Sequence, residues 1–179
     1  MIRVLIVDDQ SIVREGLKSM MAMESDICVV GEAANGLQAL QRVADDPPDV
    51  VLMDVRMPEM DGLTALERIK ALAPRTSVLM MTLYDDSDYP LRAVSAGAAG
   101  YLLKDSSRDE LLRPLRITAD GGATIAPRLL PDLLRRVGRA GSAPSAPAGA
   151  VETLLSDRER QVLTLIAEGL TNQEIAERL

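Results

Sequence analysis

Val50-Val51-Leu52-Met53-Asp54-Val55-Arg56-Met57-Pro58 decides how the rest of the chain is read. Four consecutive apolar residues are too few for a helix and show no period-2 alternation. That pattern fits a short strand buried on both faces, as in a parallel sheet. Asp54 ends the run abruptly. A carboxylate at the end of a fully buried strand is placed by the fold at the edge of the sheet, where chemistry in such folds is done.

Working outward, four more apolar runs have the same character: Arg3–Val7, Cys28–Ala33, Val78–Met81 and Gly100–Leu103. Helical patterns follow them. Ile12, Val13, Leu17, Met20 and Met21 are spaced helically over Ser11–Met23, as are Leu37, Leu40 and Val43 over Gly36–Ala44. Leu63, Leu66, Ile69 and Leu72 do the same over Gly62–Leu72. A short helix is expected around Tyr89–Ala96 and a further helix over about Arg108–Asp120. Strands alternating with helices predict an α/β fold, a doubly wound five-stranded parallel sheet covered on both faces.

The rest of the chain has a different composition. Residues Pro127–Val137 predict one more short helix. Gly138–Gly149 is rich in Gly, Ala, Ser and Pro and reads as a flexible linker. Ser156-Asp157-Arg158-Glu159 and Thr171-Asn172-Gln173-Glu174 are capping boxes, each opening an amphipathic helix, with Gly169 as a stop between them. The expected organisation is therefore residues 1–125 as one domain, 126–150 as short helix and linker, and 151–179 as an incomplete all-α segment.

Composition narrows the chemistry. The 179 residues contain no His, Phe or Trp, three Tyr and one Cys. Lack of histidine removes imidazole bases, His metal sites and a phosphohistidine on this chain. Cys28 cannot form an internal disulfide and reads as a small buried hydrophobe. The N-terminus does not resemble a signal peptide, because its apolar run is short and ends in Asp8-Asp9. No run approaches the ~18 residues of a membrane span, so a cytoplasmic location is expected. Net charge is −7, and no segment is basic enough to be an electrostatic footprint for nucleic acid.

The polar strand endings form a set. Asp8 and Asp9 follow the first strand, Asp54 ends the third, Thr82 ends the fourth and Lys104 ends the fifth. Three gathered carboxylates repel one another and invite a hard divalent cation, of which Mg²⁺ suits a small carboxylate set. Such a site can make one carboxylate a nucleophile toward phosphorus, with a Lys and a hydroxyl stabilising the phosphoryl oxygens. Each residue also has a plain alternative. Asp8, Asp9 and Asp54 could cap helices or loops, Thr82 could be structural, Lys104 a solvated charge and Tyr101 a half-buried strand aromatic.

The segments Asp8-Asp9, Val51–Pro58, Asp61-Gly62, Met81-Thr82 and Gly100–Lys104 resemble the receiver signature of two-component response regulators over residues 1–120. Ala96–Asp105 is similar to the NarL/FixJ branch. Leu155–Glu159 through Gly169–Ala176 resembles the start of a LuxR-type helix-turn-helix. The resemblance implies a flavodoxin-like receiver fold and assigns roles. Asp54 accepts a phosphoryl group from the phosphohistidine of a separate sensor histidine kinase. Asp9, Asp54 and the backbone carbonyl of Arg56 hold Mg²⁺, with Asp8 acting through water. Thr82 and Lys104 bind the phosphoryl group, and Tyr101 is the aromatic switch. Met57-Pro58 and Gly62 shape the loop beside the nucleophile.

It further implies transcription regulation through DNA, with a homodimer strengthened by phosphorylation. The first and fifth helices are the expected surface, although Pro114 should kink the fifth. The helix that reads DNA would follow residues Thr171–Leu179, so specific DNA binding is not expected of this sequence as it stands. Two other functions are compatible with parts of the pattern. One is a receiver-only relay or interaction module. The other is a phosphohydrolase using an aspartyl phosphate, although such enzymes place an Asp-x-Asp after strand one, where this chain has Asp8-Asp9-Gln10.

Overall fold

In a computed structural model, residues 1–83 and 89–127 are described. The chain divides into two units, 1–130 and 131–179, and the described residues all belong to the first. The expected helix beyond Pro127, the linker and the two capping boxes lie outside the described residues.

Alternation of strand and helix is complete: β1 (Ile2–Val7), α1 (Ser11–Met21), β2 (Ile27–Ala33), α2 (Gly36–Asp45), β3 (Val50–Asp54), α3 (Gly62–Leu72), β4 (Ser77–Thr82), α4 (Tyr89–Ser95), β5 (Gly100–Leu103), α5 (Arg108–Ala119) and β6 (Thr124–Ile125). All pairings are parallel, in the order β2-β1-β3-β4-β5-β6. Among the described residues the sheet thus has six strands rather than the five predicted. Two residues are too few to show a period. They join the sheet because Thr124 N–H donates to the Ala99 carbonyl at 3.0 Å and Ala126 N–H to that of Tyr101 at 2.9 Å.

The continuous apolar runs form the centre. Val4–Val7, Val50–Met53 and Val78–Met81 are all buried. Each such side chain contributes roughly 1.5–3 kcal/mol by leaving water. Helix α2 packs on α3 and α3 on α4, while α1 packs against β1 and β2 and α5 against β3 to β6. Arg116 on α5 reaches Asp26 and Glu24, both just past α1, with contacts of 2.7 Å to each. Cys28 departs from expectation: it is half-buried, because β2 is an edge strand covered less fully than the central ones.

The prolines inside α4 and α5 behave differently. Pro90 is the second residue of α4 and buried, a first-turn position where its missing N–H has no helical role. Pro114 lies inside α5, which still runs unbroken from Arg108 to Ala119. The helix is anchored by a capping box between Ser107 and Glu110 and by buried Leu111, Leu112, Leu115 and Thr118. Those contributions offset the backbone bond that proline removes.

Candidate phosphoryl-acceptor site

The order of strands puts β1 between β2 and β3, so the crossovers β1–β2 and β2–β3 run in opposite directions along the sheet. In such sheets the site of chemistry lies at the carboxyl ends of the strands at this switch point. Asp8 and Asp9 emerge on one side of it and Asp54 on the other. Backbone bonds carry the order of the sheet a step further. Asp8 N–H donates to Ala33 O at 3.1 Å, Val55 N–H to Met81 O at 3.0 Å and Lys104 N–H to Thr82 O at 2.7 Å. The side chains at the strand ends are therefore held by the ladder itself.

Oxygens of Asp8, Asp9 and Asp54 all lie within 4.8 Å of one another. Asp8 and Asp54 are buried and Asp9 is exposed. Lys104 reaches into the group: its Nζ is 2.5 Å from Asp8 Oδ2 and 2.9 Å from Asp54 Oδ2. Asp8 Oδ1 accepts from Gln10 N–H at 2.9 Å. Asp54 pairs in register with Met81, which sets Thr82 one step beyond it on the neighbouring strand. Thr82 is buried, as is Tyr101 at 1% exposure, one strand further along.

Burial pushes the Asp54 carboxyl above its ordinary range. The hydrogen bond and charge of Lys104 oppose that shift, the negative charge of Asp8 adds to it, and a hydrogen bond from the Arg56 backbone N–H again lowers it. Burial also disfavours the charged form of Lys104. Its bonds to Asp8 and Asp54 outweigh that cost, and the ammonium is held above its usual value. The nucleophile candidate is thus a desolvated carboxylate stabilised by one buried cation. The donor set fits Mg²⁺, being hard carboxylate oxygens with one member open to solvent for the waters that Mg²⁺ retains.

All the sequence-predicted strand-end residues are brought to this one edge. Several others were not singled out by sequence. Arg14 on α1 donates from one Nη to the Asp8 carbonyl at 2.7 Å and from Nε to Glu32 at 3.2 Å. Its only sequence signal was a charge on an otherwise amphipathic helix. Asn35 caps α2 by accepting from Gln38 N–H at 2.9 Å, which an Asn-Gly before a helical pattern does signal. Its second bond, to Glu59, joins positions 24 apart and had no sequence signal.

Comparison with known proteins agrees with this geometry. Residues 4–116 match the response regulator receiver domain, and residues 153–179 match the bacterial regulatory proteins of the luxR family. The chain is 37% identical over 175 residues to the response regulator protein VraR of Staphylococcus aureus, covering 98% of this chain and 80% of that protein. It is 36% identical over 184 residues to the transcriptional regulatory protein LnrK of Bacillus subtilis, covering 100% and 83%. Among solved structures, a LuxR-family two-component response regulator from Aurantimonas sp. SI85-9A1 superposes with a TM-score of 0.72 at 29% identity, over 76% of this chain and 97% of that one. A receiver match over most of the chain, a luxR-family match behind it and relatives at this identity identify the chain as a two-component response regulator with a receiver domain and a LuxR-type DNA-binding segment.

Proposed function

We propose that Asp54 is the phosphoacceptor, and that its phosphorylation by a sensor histidine kinase controls dimerisation and DNA binding in transcription regulation. The observation that carries this reading is the Lys104 ammonium 2.9 Å from Asp54, in a cluster with Asp8 and Asp9. An Asp54 oxygen attacks the phosphorus of the kinase phosphohistidine. The P–O bond forms as the P–N bond breaks, and the imidazole leaves and takes up a proton. Lys104 and the Thr82 hydroxyl stabilise charge on the phosphoryl oxygens. Asp9, Asp54 and the Arg56 backbone carbonyl would hold Mg²⁺, with Asp8 acting through water, and the ion would supply neutralisation of phosphoryl charge. Slow hydrolysis of the acyl phosphate by water resets the switch, so the protein acts as a signalling element rather than a turnover enzyme.

Tyr101 and Thr82 are the proposed switch pair, on adjacent strands and both buried. The dimer surface is proposed on α1 and α5, where Ile12 is 75% and Ile117 37% exposed. The domain division at residues 125 and 150 belongs to the same reading, with DNA contact assigned to the LuxR-type segment. Among the described residues no helix is long and apolar enough to cross a membrane, and a cytoplasmic site of action is part of the proposal. The test is incubation with acetyl phosphate and Mg²⁺, read by intact mass. One phosphoryl group is expected on the native chain and none on Asp54→Asn. Stoichiometric modification of Asp54→Asn would refute the assignment.

A further inference from the structure

The loop between β3 and α3, residues 55–61, carries Arg56, whose backbone N–H bonds the Asp54 carboxylate. This loop is fixed at both ends by close backbone approach. Gly62 N–H donates to Val55 O at 2.9 Å, and a Cβ on Gly62 would lie 2.0 Å from the Asp54 carbonyl oxygen. On the far side Gly36 N–H donates to Met60 O at 3.1 Å. Between these points Glu59 has φ +63°, the one positive value at a non-glycine among the described residues. A residue with a Cβ stays in that region only when its surroundings impose it, and such strain gathers at functional loops.

One side-chain contact at Glu59 reaches across to the cap of α2. Asn35 is 3% exposed, and its Nδ2 donates to Glu59 Oε1 at 2.7 Å. Its Oδ1 is already committed to the α2 cap, so the amide cannot rotate without losing one bond or the other. The bond is charge-assisted and part-buried, running from a buried amide to the carboxylate of exposed Glu59. Glu59 lies three residues from Arg56 in the same loop, so a bond that holds one bears on the backbone of the other.

We infer that Asn35 and Glu59 form a latch that positions the Arg56 backbone against Asp54, making both positioning residues for Mg²⁺ binding and phosphoryl acceptance. This inference rests on the reading of Asp54 as phosphoacceptor. Outer contacts that orient a metal ligand commonly change metal affinity by about tenfold or more when removed.

The test measures Mg²⁺ affinity by calorimetry, the rate of phosphorylation by acetyl phosphate, and thermal unfolding on the 179-residue chain. Glu59→Ala should weaken Mg²⁺ binding about tenfold and slow phosphorylation in parallel. Glu59→Gln keeps an accepting oxygen and should restore both. Asn35→Ser keeps a capping oxygen for α2 but loses the amide donor, and should behave like Glu59→Ala. Glu59→Gly accepts the left-handed backbone without strain, so it should keep native thermal stability yet lose Mg²⁺ affinity. A purely structural contact would show the opposite: stability lost in Glu59→Ala with Mg²⁺ affinity unchanged in Glu59→Ala, Glu59→Gly and Asn35→Ser. That result overturns the latch. Failure of the native chain to take up any phosphoryl group would instead refute the reading of Asp54, and the Mg²⁺ titration judges the latch independently.

Discussion

Lys104 Nζ sits 2.9 Å from Asp54 Oδ2, with the two side chains only 5% and 7% exposed. A buried pair of this kind is costly to desolvate and costly to break. Here burial wins at Asp54, whose carboxyl is raised, while bonding wins at Lys104, whose ammonium is also raised. Relative to the unfolded chain, the fold thus makes Asp54 harder to ionise and Lys104 harder to neutralise.

Asp54→Asn should stabilise the protein near neutral pH. Because the folded value of Asp54 is raised, its contribution is fully present below the unfolded value and is lost as pH rises through the folded one. Replacement by Asn removes that loss. Thermal denaturation at pH 7 should show a Tm a few degrees above native, since about 1 kcal/mol moves a domain of this size by ~4 °C. A lower Tm for Asp54→Asn at pH 7 would contradict the desolvation account.

Lys104→Met should do the reverse, costing about 3–5 kcal/mol at pH 7, because it leaves Asp8 and Asp54 facing each other without a cation. The Lys104 contribution is present below its unfolded value and lost as pH rises through the raised folded one. Denaturant titration of the single variant and of Lys104→Met with Asp54→Asn measures the coupling. The double variant should recover much of the loss, and strict additivity would argue against the pair.

Gly62→Ala should be severe. A methyl group 2.0 Å from the Asp54 carbonyl cannot be accommodated by a side-chain shift, so the backbone beside Asp54 has to move. A loss above about 2 kcal/mol is expected, together with slower phosphorylation by acetyl phosphate. Native behaviour in both measurements would show that the loop is softer than this geometry implies.

Asp9→Ala should separate function from stability. Asp9 is exposed, so its removal should change unfolding by less than about 0.5 kcal/mol. Mg²⁺ affinity and phosphorylation rate should both fall. Unchanged Mg²⁺ affinity would remove Asp9 from the ligand set.

Much of this molecule was decided locally. Runs such as Val50–Met53 are apolar without alternation because both faces of a central strand are covered, and that pattern is readable residue by residue. So were the polar endings at Asp8, Asp9, Asp54, Thr82 and Lys104, since the end of a buried strand is where a charge can first meet solvent or a partner. Features that depend on a distant neighbour had no such signature. Thr124-Ile125 became a strand through bonds to the Ala99 and Tyr101 carbonyls, and Cys28 was half-buried because β2 lies at the edge of the sheet. Arg14 holds the Asp8 carbonyl and Asn35 holds Glu59 across gaps of 6 and 24 positions. Hydrophobic period is a property of one segment and survives in the sequence. Strand order, edge position and side-chain pairing are relations between segments, fixed only when the chain closes on itself.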